Sequence, residues 1–87
     1  MNTKEVTQII ADDFGQPFKL ADTSAEAYAH VYIGGQLADT FKLYGTVFKI
    51  DSVHSVNDAR TVFKATDRDS QELLIEIPND VLLEPAD

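Results

Sequence analysis

The sequence contains no cysteine, so disulfide bonds and thiolate metal sites are excluded. Because small secreted domains often depend on disulfides, this absence favours a reducing compartment, and we expect a cytoplasmic protein. The chain also lacks an apolar run of the ~20 residues that a membrane-spanning helix needs. Its first residues, MNTKEVTQII, carry no segment typical of a signal peptide. We therefore expect no contact with a membrane.

Basic residues are few: seven Lys and Arg stand against 15 Asp and Glu, for a net charge of −8. The imbalance is concentrated in residues 67–87, where seven acids accompany Arg68 alone. Affinity for nucleic acids depends on Lys and Arg side chains that displace counterions from phosphates, so a nucleic acid is an unfavourable partner. An acidic surface of this kind is typical of a solvated face, and it also suits a basic protein partner.

The sequence has no recognised catalytic or cofactor motif. His30 and His54 are its only histidines, and neither belongs to an HExxH or HxxxH pattern. Residues 67–72 carry the alternating acids of a calcium loop, but Glu72 occupies the position where such a loop needs glycine. We therefore expect no cofactor, no metal site and no catalytic residues, and we favour a protein that is not an enzyme.

At 87 residues the chain is predicted to form a single domain over residues 1–87. Apolar residues at helical spacing predict an N-terminal helix over residues 3–14, ended by Gly15 and Pro17. Alternating apolar residues predict strands near 17–22, 37–44, 46–53, 60–66 and 71–77. The C-terminal residues 84–87 are expected to form a frayed tail.

Residues 23–35 are compatible with either a helix or a strand. Thr23 followed by Glu26 forms a capping-box pattern, which favours a helix. The alternation of small or branched apolar residues with larger polar ones, followed by Gly34-Gly35, favours a strand that ends in a tight hairpin turn. Both structures remain open, with the helix preferred.

These elements together predict an α+β fold. The N-terminal helix would pack on a small antiparallel sheet of four or five strands, which could curl towards a barrel. The predicted core consists of the apolar residues that share one face of each element: Val6, Ile9, Ile10, Phe14, Phe18, Leu20, Phe41, Phe48, Ile50, Phe63, Leu73, Ile75 and Ile77.

The pairing of the last three predicted strands defines a candidate contact surface. Placing Phe48 opposite Phe63, and Phe63 opposite Leu73, keeps all three side chains in the core. The opposite face then holds an apolar centre with a charged rim, a pattern typical of protein interfaces. The candidate contact residues are Val47, Val62, Leu74, Lys49, Lys64, Glu72 and Glu76. The alternative is that a helix or the turn at residues 81–83 covers the apolar members of this set.

Three functional hypotheses follow. The favoured one is a small, acidic, non-enzymatic protein-interaction or regulatory module that binds a protein partner, with a homodimer as one form of such binding. The second is a nucleic-acid mimic that inhibits a DNA-binding protein, with the acids of residues 67–87 standing in for phosphates. The third is a nucleic-acid binder on a small β-barrel, with a basic stripe of Lys19, Lys42, Lys49 and Lys64.

Overall fold

The computed structural model describes residues 3–86, which form eight β-strands and two 3-10 turns. The strands are β1 (Lys4–Glu5), β2 (Pro17–Leu20), β3 (Tyr28–Ile33), β4 (Gln36–Lys42), β5 (Phe48–Val56), β6 (Arg60–Asp67), β7 (Glu72–Pro78) and β8 (Leu82–Pro85). The 3-10 turns are Val6–Gln8 and Ala11–Asp13. Residue 87 of the predicted tail lies outside the described residues.

All eight strands belong to one antiparallel sheet, in the order β1-β8-β2-β5-β6-β7-β3-β4. One face of this curved sheet encloses the core, and the five strands from β5 to β4 form its larger part. The predicted α+β fold is therefore wrong, because the described chain is nearly all sheet and the predicted N-terminal helix is not present among its elements.

The N-terminal segment has helical periodicity but does not form a helix. Val6 and Ile9 are buried as predicted, whereas Ile10 is 56% exposed. The segment is rich in β-branched residues, which lose side-chain freedom in a helix, and it is too short for a helix that is stable on its own. Contacts with the rest of the chain therefore decide its structure: β1 pairs with β8, and the Val6 N–H donates to the Val81 carbonyl at 3.1 Å.

The ambiguous segment 23–35 contains strand β3, and the preferred helical interpretation is wrong. Ala29 and Val31 face the core and lie opposite Ile75 and Leu73 of β7. The chain reverses into β4 through a two-residue turn at Gly34 and Gly35, whose φ angles are +60° and +80°. A turn with positive φ at both central positions is strained for residues other than glycine, so this pair fixes the hairpin.

Strand β5 extends further than predicted and carries two bulges. Its register with β6 shifts twice, and Asp51 and His54 are the extra residues, one at each shift. A bulge inserts one residue into a strand and increases its twist. Phe48 and Ile50 precede both bulges and face the core, whereas the distal end of the strand, with Val53 and Val56, is exposed.

The predicted pairing of β5, β6 and β7 is displaced although the predicted faces are right. Phe63 lies opposite Val53 on β5 rather than Phe48, and opposite Ile75 on β7 rather than Leu73. The displacement on β7 is two residues, which preserves the inward face of Phe63 because the side-chain period of a strand is two. On β5 the displacement is five residues: the bulge at Asp51 contributes one, and the remaining four are an even number that preserves the inward face.

Most of the predicted core is confirmed. Apart from Ile10, its members are buried, with Phe14 and Phe41 only partly so. The prediction missed several buried residues: Ala27, Ala29, Val31, Leu43, Ala65 and Leu83. The expected fraying is not observed for residues 84–86, since β8 pairs with β2 and the Ala86 N–H donates to the Pro17 carbonyl at 2.9 Å.

Candidate functional site

The five strands β5, β6, β7, β3 and β4 turn one face away from the core, and we call it the outer face. The strand register shows which residues are neighbours on this face: Lys64 lies opposite Leu74, and Leu74 lies opposite His30. The residues that form the outer face are Tyr28, His30, Tyr32, Leu37, Thr40, Lys42, Lys49, Asp51, Ser52, His54, Arg60, Val62, Lys64, Thr66, Glu72, Leu74 and Glu76. The face is amphipathic, with apolar and aromatic side chains between charged ones.

One part of the outer face is occupied by a network of polar contacts centred on Glu76. Arg60 Nε lies 2.6 Å from Glu76 Oε2, in an ion pair whose angle is not that of a hydrogen bond. The other carboxylate oxygen of Glu76 lies 3.4 Å from His30 Nε2. The second ring nitrogen of His30 lies 3.0 Å from Thr40 Oγ1. Four neighbouring strands, β6, β7, β3 and β4, are thus joined by side chains that already have partners.

The same network continues to Glu26, just before β3. The Tyr28 hydroxyl donates to Glu26 Oε2 at 2.6 Å, and Lys42 Nζ lies 3.6 Å from Glu26 Oε1. The hydrogen bond from Tyr28 and the charge of Lys42 lower the pKa of Glu26, and the bond to Glu26 raises the pKa of Tyr28. Arg60 also donates to the Glu26 carbonyl at 2.6 Å. We call this set, Glu26, Tyr28, His30, Thr40, Lys42, Arg60 and Glu76, the locked half.

The remainder of the outer face contains a shallow hollow of about 330 Å³. We call its six outward side chains the open half: Tyr32, Asp51, His54, Lys64, Glu72 and Leu74. Its floor includes Ala65 and Leu73, and Gly35 of the β3–β4 turn lies at its edge. Asp51 accepts a hydrogen bond from Thr66 Oγ1 at 2.7 Å. Within residues 3–86, neither Lys64 nor Glu72 has an ion-pair partner.

The structure brings together most of the contact residues that the sequence suggested. Lys64, Glu72 and Leu74 line the hollow, and Lys49 and Val62 lie elsewhere on the outer face. The sixth residue, Glu76, belongs to the locked half. Val47 is the exception, because it precedes β5; it lies in a different depression, which Pro17, Lys49 and Arg68 also line.

The predicted cover for this face is not formed. Leu83 is fully buried in the core, and Val81 packs against the same core, so residues 81–83 do not shield the outer face. The half-buried state of Val62 and Leu74 instead reflects their own neighbours on the sheet, which include the long side chains that flank them. The apolar centre of the outer face is therefore accessible.

Sequence reasoning missed Tyr32, Asp51 and His54 as members of one site. Tyr32 was hidden by the helical interpretation of its segment, although the alternation that ends at the Gly-Gly turn would have placed it on a strand. Asp51 and His54 are the extra residues of two bulges. No sequence signal marks these bulges, because they depend on how β5 pairs with β6.

Among residues 3–86, no three side chains of His, Asp or Glu come together in a group that could hold a metal ion. No helix in this part of the chain has the length and apolar character needed to cross a bilayer. Comparisons with protein-family models, with curated proteins and with solved structures found no match to the chain.

Proposed function

We propose that the protein is a non-enzymatic protein-binding module whose contact surface is the open half. The observation that carries the proposal is the contrast between the two halves of one sheet face. In the locked half each charged side chain has a partner within the chain, whereas Lys64 and Glu72 in the open half have none among residues 3–86. Charged groups without internal partners beside an accessible apolar side chain are available to another molecule.

The composition of the open half suits a protein interface. Leu74 supplies an apolar centre and Tyr32 an aromatic wall, with Asp51, Lys64 and Glu72 around them. Interfaces commonly combine an apolar, aromatic centre with a polar rim, and tyrosine is enriched in their most important contacts. The shallow hollow fits one or two side chains of a partner rather than an enclosed small molecule.

The free edges of the sheet are poorer candidates for binding. On β4, Asp39 lies opposite the buried Val31 and so places a charge on the core-facing side of an edge strand. β5 is an interior strand, but it pairs with β2 only at Phe48 and Lys49, and beyond these residues the bulges at Asp51 and His54 disturb the regular row of backbone donors and acceptors. Inward-facing charges and bulges both discourage the addition of another strand. The contact surface is therefore assigned to the outer face of the sheet and not to its edges.

Neither nucleic-acid hypothesis gains support from the positions of the charges. Two lysines of the predicted basic stripe are paired with acids, Lys19 with Glu84 at 3.6 Å and Lys42 with Glu26. The C-terminal acids are divided between several strands and turns, and the Asp67 carboxylate accepts N–H groups of its own turn. Mimicry of a phosphate backbone would need these carboxylates along one face.

Replacing Leu74 with Asp tests the proposal. We expect Leu74→Asp to reduce capture of the partner from host extract by about tenfold or more, because a charge at the centre of an interface removes a main contact. The matched control is Leu82→Asp, which places the same charge on an exposed apolar residue of β8. It should retain the partner at the level of the parent chain.

Thermal melting of both variants separates binding from folding. A folded Leu74→Asp variant that captures the same proteins in the same amounts as the parent would contradict the proposal. Loss of folding in Leu74→Asp alone would show that Leu74 is a structural residue and that the contact surface lies elsewhere.

A further inference from the structure

We infer that the open half accepts a cationic side chain, lysine or arginine, from a basic segment of the partner; this inference rests on the function proposed above. The first observation is the position of two carboxylates around Thr66. Asp51 on β5 accepts the Thr66 hydroxyl at 2.7 Å, and Glu72 on β7 lies directly opposite Thr66. Lys49 lies opposite Thr66 on β5 but does not line the hollow, whereas both acids do, so one bound cation would lie near two negative charges.

The second observation is the surface between these acids and Leu74. The pairing of β3 with β7 ends at Val31 and Leu73, and the residues next to these, Tyr32 and Glu72, both line the hollow. A cation near an aromatic face is attracted by the negative potential of the ring. Leu74 offers apolar surface for the methylene stem that precedes a lysine or arginine head group.

The net charge of the chain and the charges that line the hollow also favour the binding of a cation. The whole chain carries a net charge of −8, which attracts a basic segment and raises its rate of encounter. The lining of the hollow itself carries two carboxylates against the single ammonium of Lys64, with His54 at the border. Lys64 therefore opposes the binding of a cation, and its removal should strengthen that binding.

Substitutions of Glu72 and Lys64 test the inference, because they should change the affinity for a cationic segment in opposite directions. If a cation binds, Glu72→Gln removes an attraction and Lys64→Gln removes a repulsion. If an acidic segment binds instead, each substitution has the reverse effect. If these exposed residues had only a structural role, both substitutions would change the binding affinity in the same direction.

The experiment uses two fluorescent synthetic peptides, one of alternating arginine and valine and one with glutamate in place of each arginine. Binding to the full chain is measured by anisotropy, and amide chemical shifts locate the contact. We expect the arginine peptide to shift the amides of the open half. Its affinity should fall about two- to fivefold in Glu72→Gln and rise by a similar factor in Lys64→Gln.

The control is Asp80→Asn, which removes the same charge in the turn beyond the far end of β7. It should change the affinity for the arginine peptide less than Glu72→Gln does. Equal losses in the two variants would mean a non-specific attraction to net charge, and this would overturn the inference.

Preferential binding of the glutamate peptide, or weaker binding in Lys64→Gln, would assign the open half to an anionic segment and also overturn the inference. If neither peptide binds while Leu74→Asp still loses the captured partner, the cationic assignment fails and the proposed function stands. If Leu74→Asp keeps the captured partner, the proposed function itself fails.

Discussion

Asp13 illustrates how a single carboxylate holds an irregular segment in place. The residue is only 9% exposed, and its side chain accepts the Ile10 N–H at 2.9 Å and Lys4 Nζ at 2.7 Å. These contacts, the backbone bond first and the lysine second, lower the pKa of Asp13 from its ordinary value of 3.8. One side chain thereby connects the second 3-10 turn to β1.

The lowered pKa of Asp13 predicts a loss of stability in acid. A depressed carboxyl pKa stabilises the folded state above the unfolded-state pKa, and this contribution disappears as the pH falls through the folded-state pKa. We expect Asp13→Ala to lower the free energy of unfolding at neutral pH by about 1.5–3 kcal/mol, the usual range for hydrogen bonds to charged groups. The difference from the parent should shrink below pH ~4, where the carboxylate of the unfolded chain is itself protonated.

Urea denaturation at neutral and acidic pH measures this effect, with Asp12→Ala as the control. Asp12 is the exposed neighbour in the same turn, and its removal should have little effect at either pH. A stability difference between Asp13→Ala and the parent that is the same at both pH values would show that the carboxylate charge of Asp13 does not contribute.

Leu82 and Leu83 are adjacent residues with opposite environments. Leu83 is fully buried, whereas Leu82 is 44% exposed. We expect Leu83→Ala to cost about 2–5 kcal/mol, the range for large-to-small substitutions in a core, and Leu82→Ala to cost much less. Thermal or chemical denaturation compares the two variants, and similar small losses in both would mean that β8 frays after all.

At the level of elements, the edge strand β4 carries a charged residue, Asp39, that hinders its pairing with a strand of another molecule. The Asp39 carboxylate accepts the Thr40 N–H at 2.8 Å and so occupies one backbone donor of this strand. Its side chain also lies on the core-facing side, opposite Val31. A new strand that paired with β4 would have to accommodate this charge.

Removing the charge of Asp39 should therefore allow β4 to pair with a strand of a second molecule. We expect Asp39→Val to increase self-association relative to the parent chain, with a larger mass at high concentration in light scattering after gel filtration. Thr40→Val is the matched control because it changes the next residue of the same strand to valine while keeping Asp39. An Asp39→Val variant with the mass of the parent at every concentration would show that Asp39 does not protect the edge.

At the level of the whole molecule, the sheet joins segments that are distant in sequence. Strand β1 pairs with β8, β2 pairs with both β8 and β5, and β3 pairs with β7. Closing such long loops costs entropy that only the assembled core repays. The N-terminal and C-terminal segments therefore depend on each other for their structure, since Lys4 pairs with Leu83.

The amino-acid sequence by itself determined which face is buried along four of the eight strands. Alternation identified the inward faces of β2, β5, β6 and β7, because a strand with one buried face must repeat with period two. It also placed Lys64, Glu72 and Leu74 on one outward face. The composition and the net charge also follow from the sequence, since they do not depend on how the chain is folded.

Only the tertiary structure decided the state of residues 3–14, the bulges at Asp51 and His54, and the register between strands. The N-terminal periodicity suits a helix, but the sheet offers β1 a partner in β8 and gives Val6 a backbone acceptor. The bulges exist only in relation to β6. The division into locked and open halves depends on contacts between strands, since Glu76 meets Arg60 and His30 only when β6, β7 and β3 are adjacent.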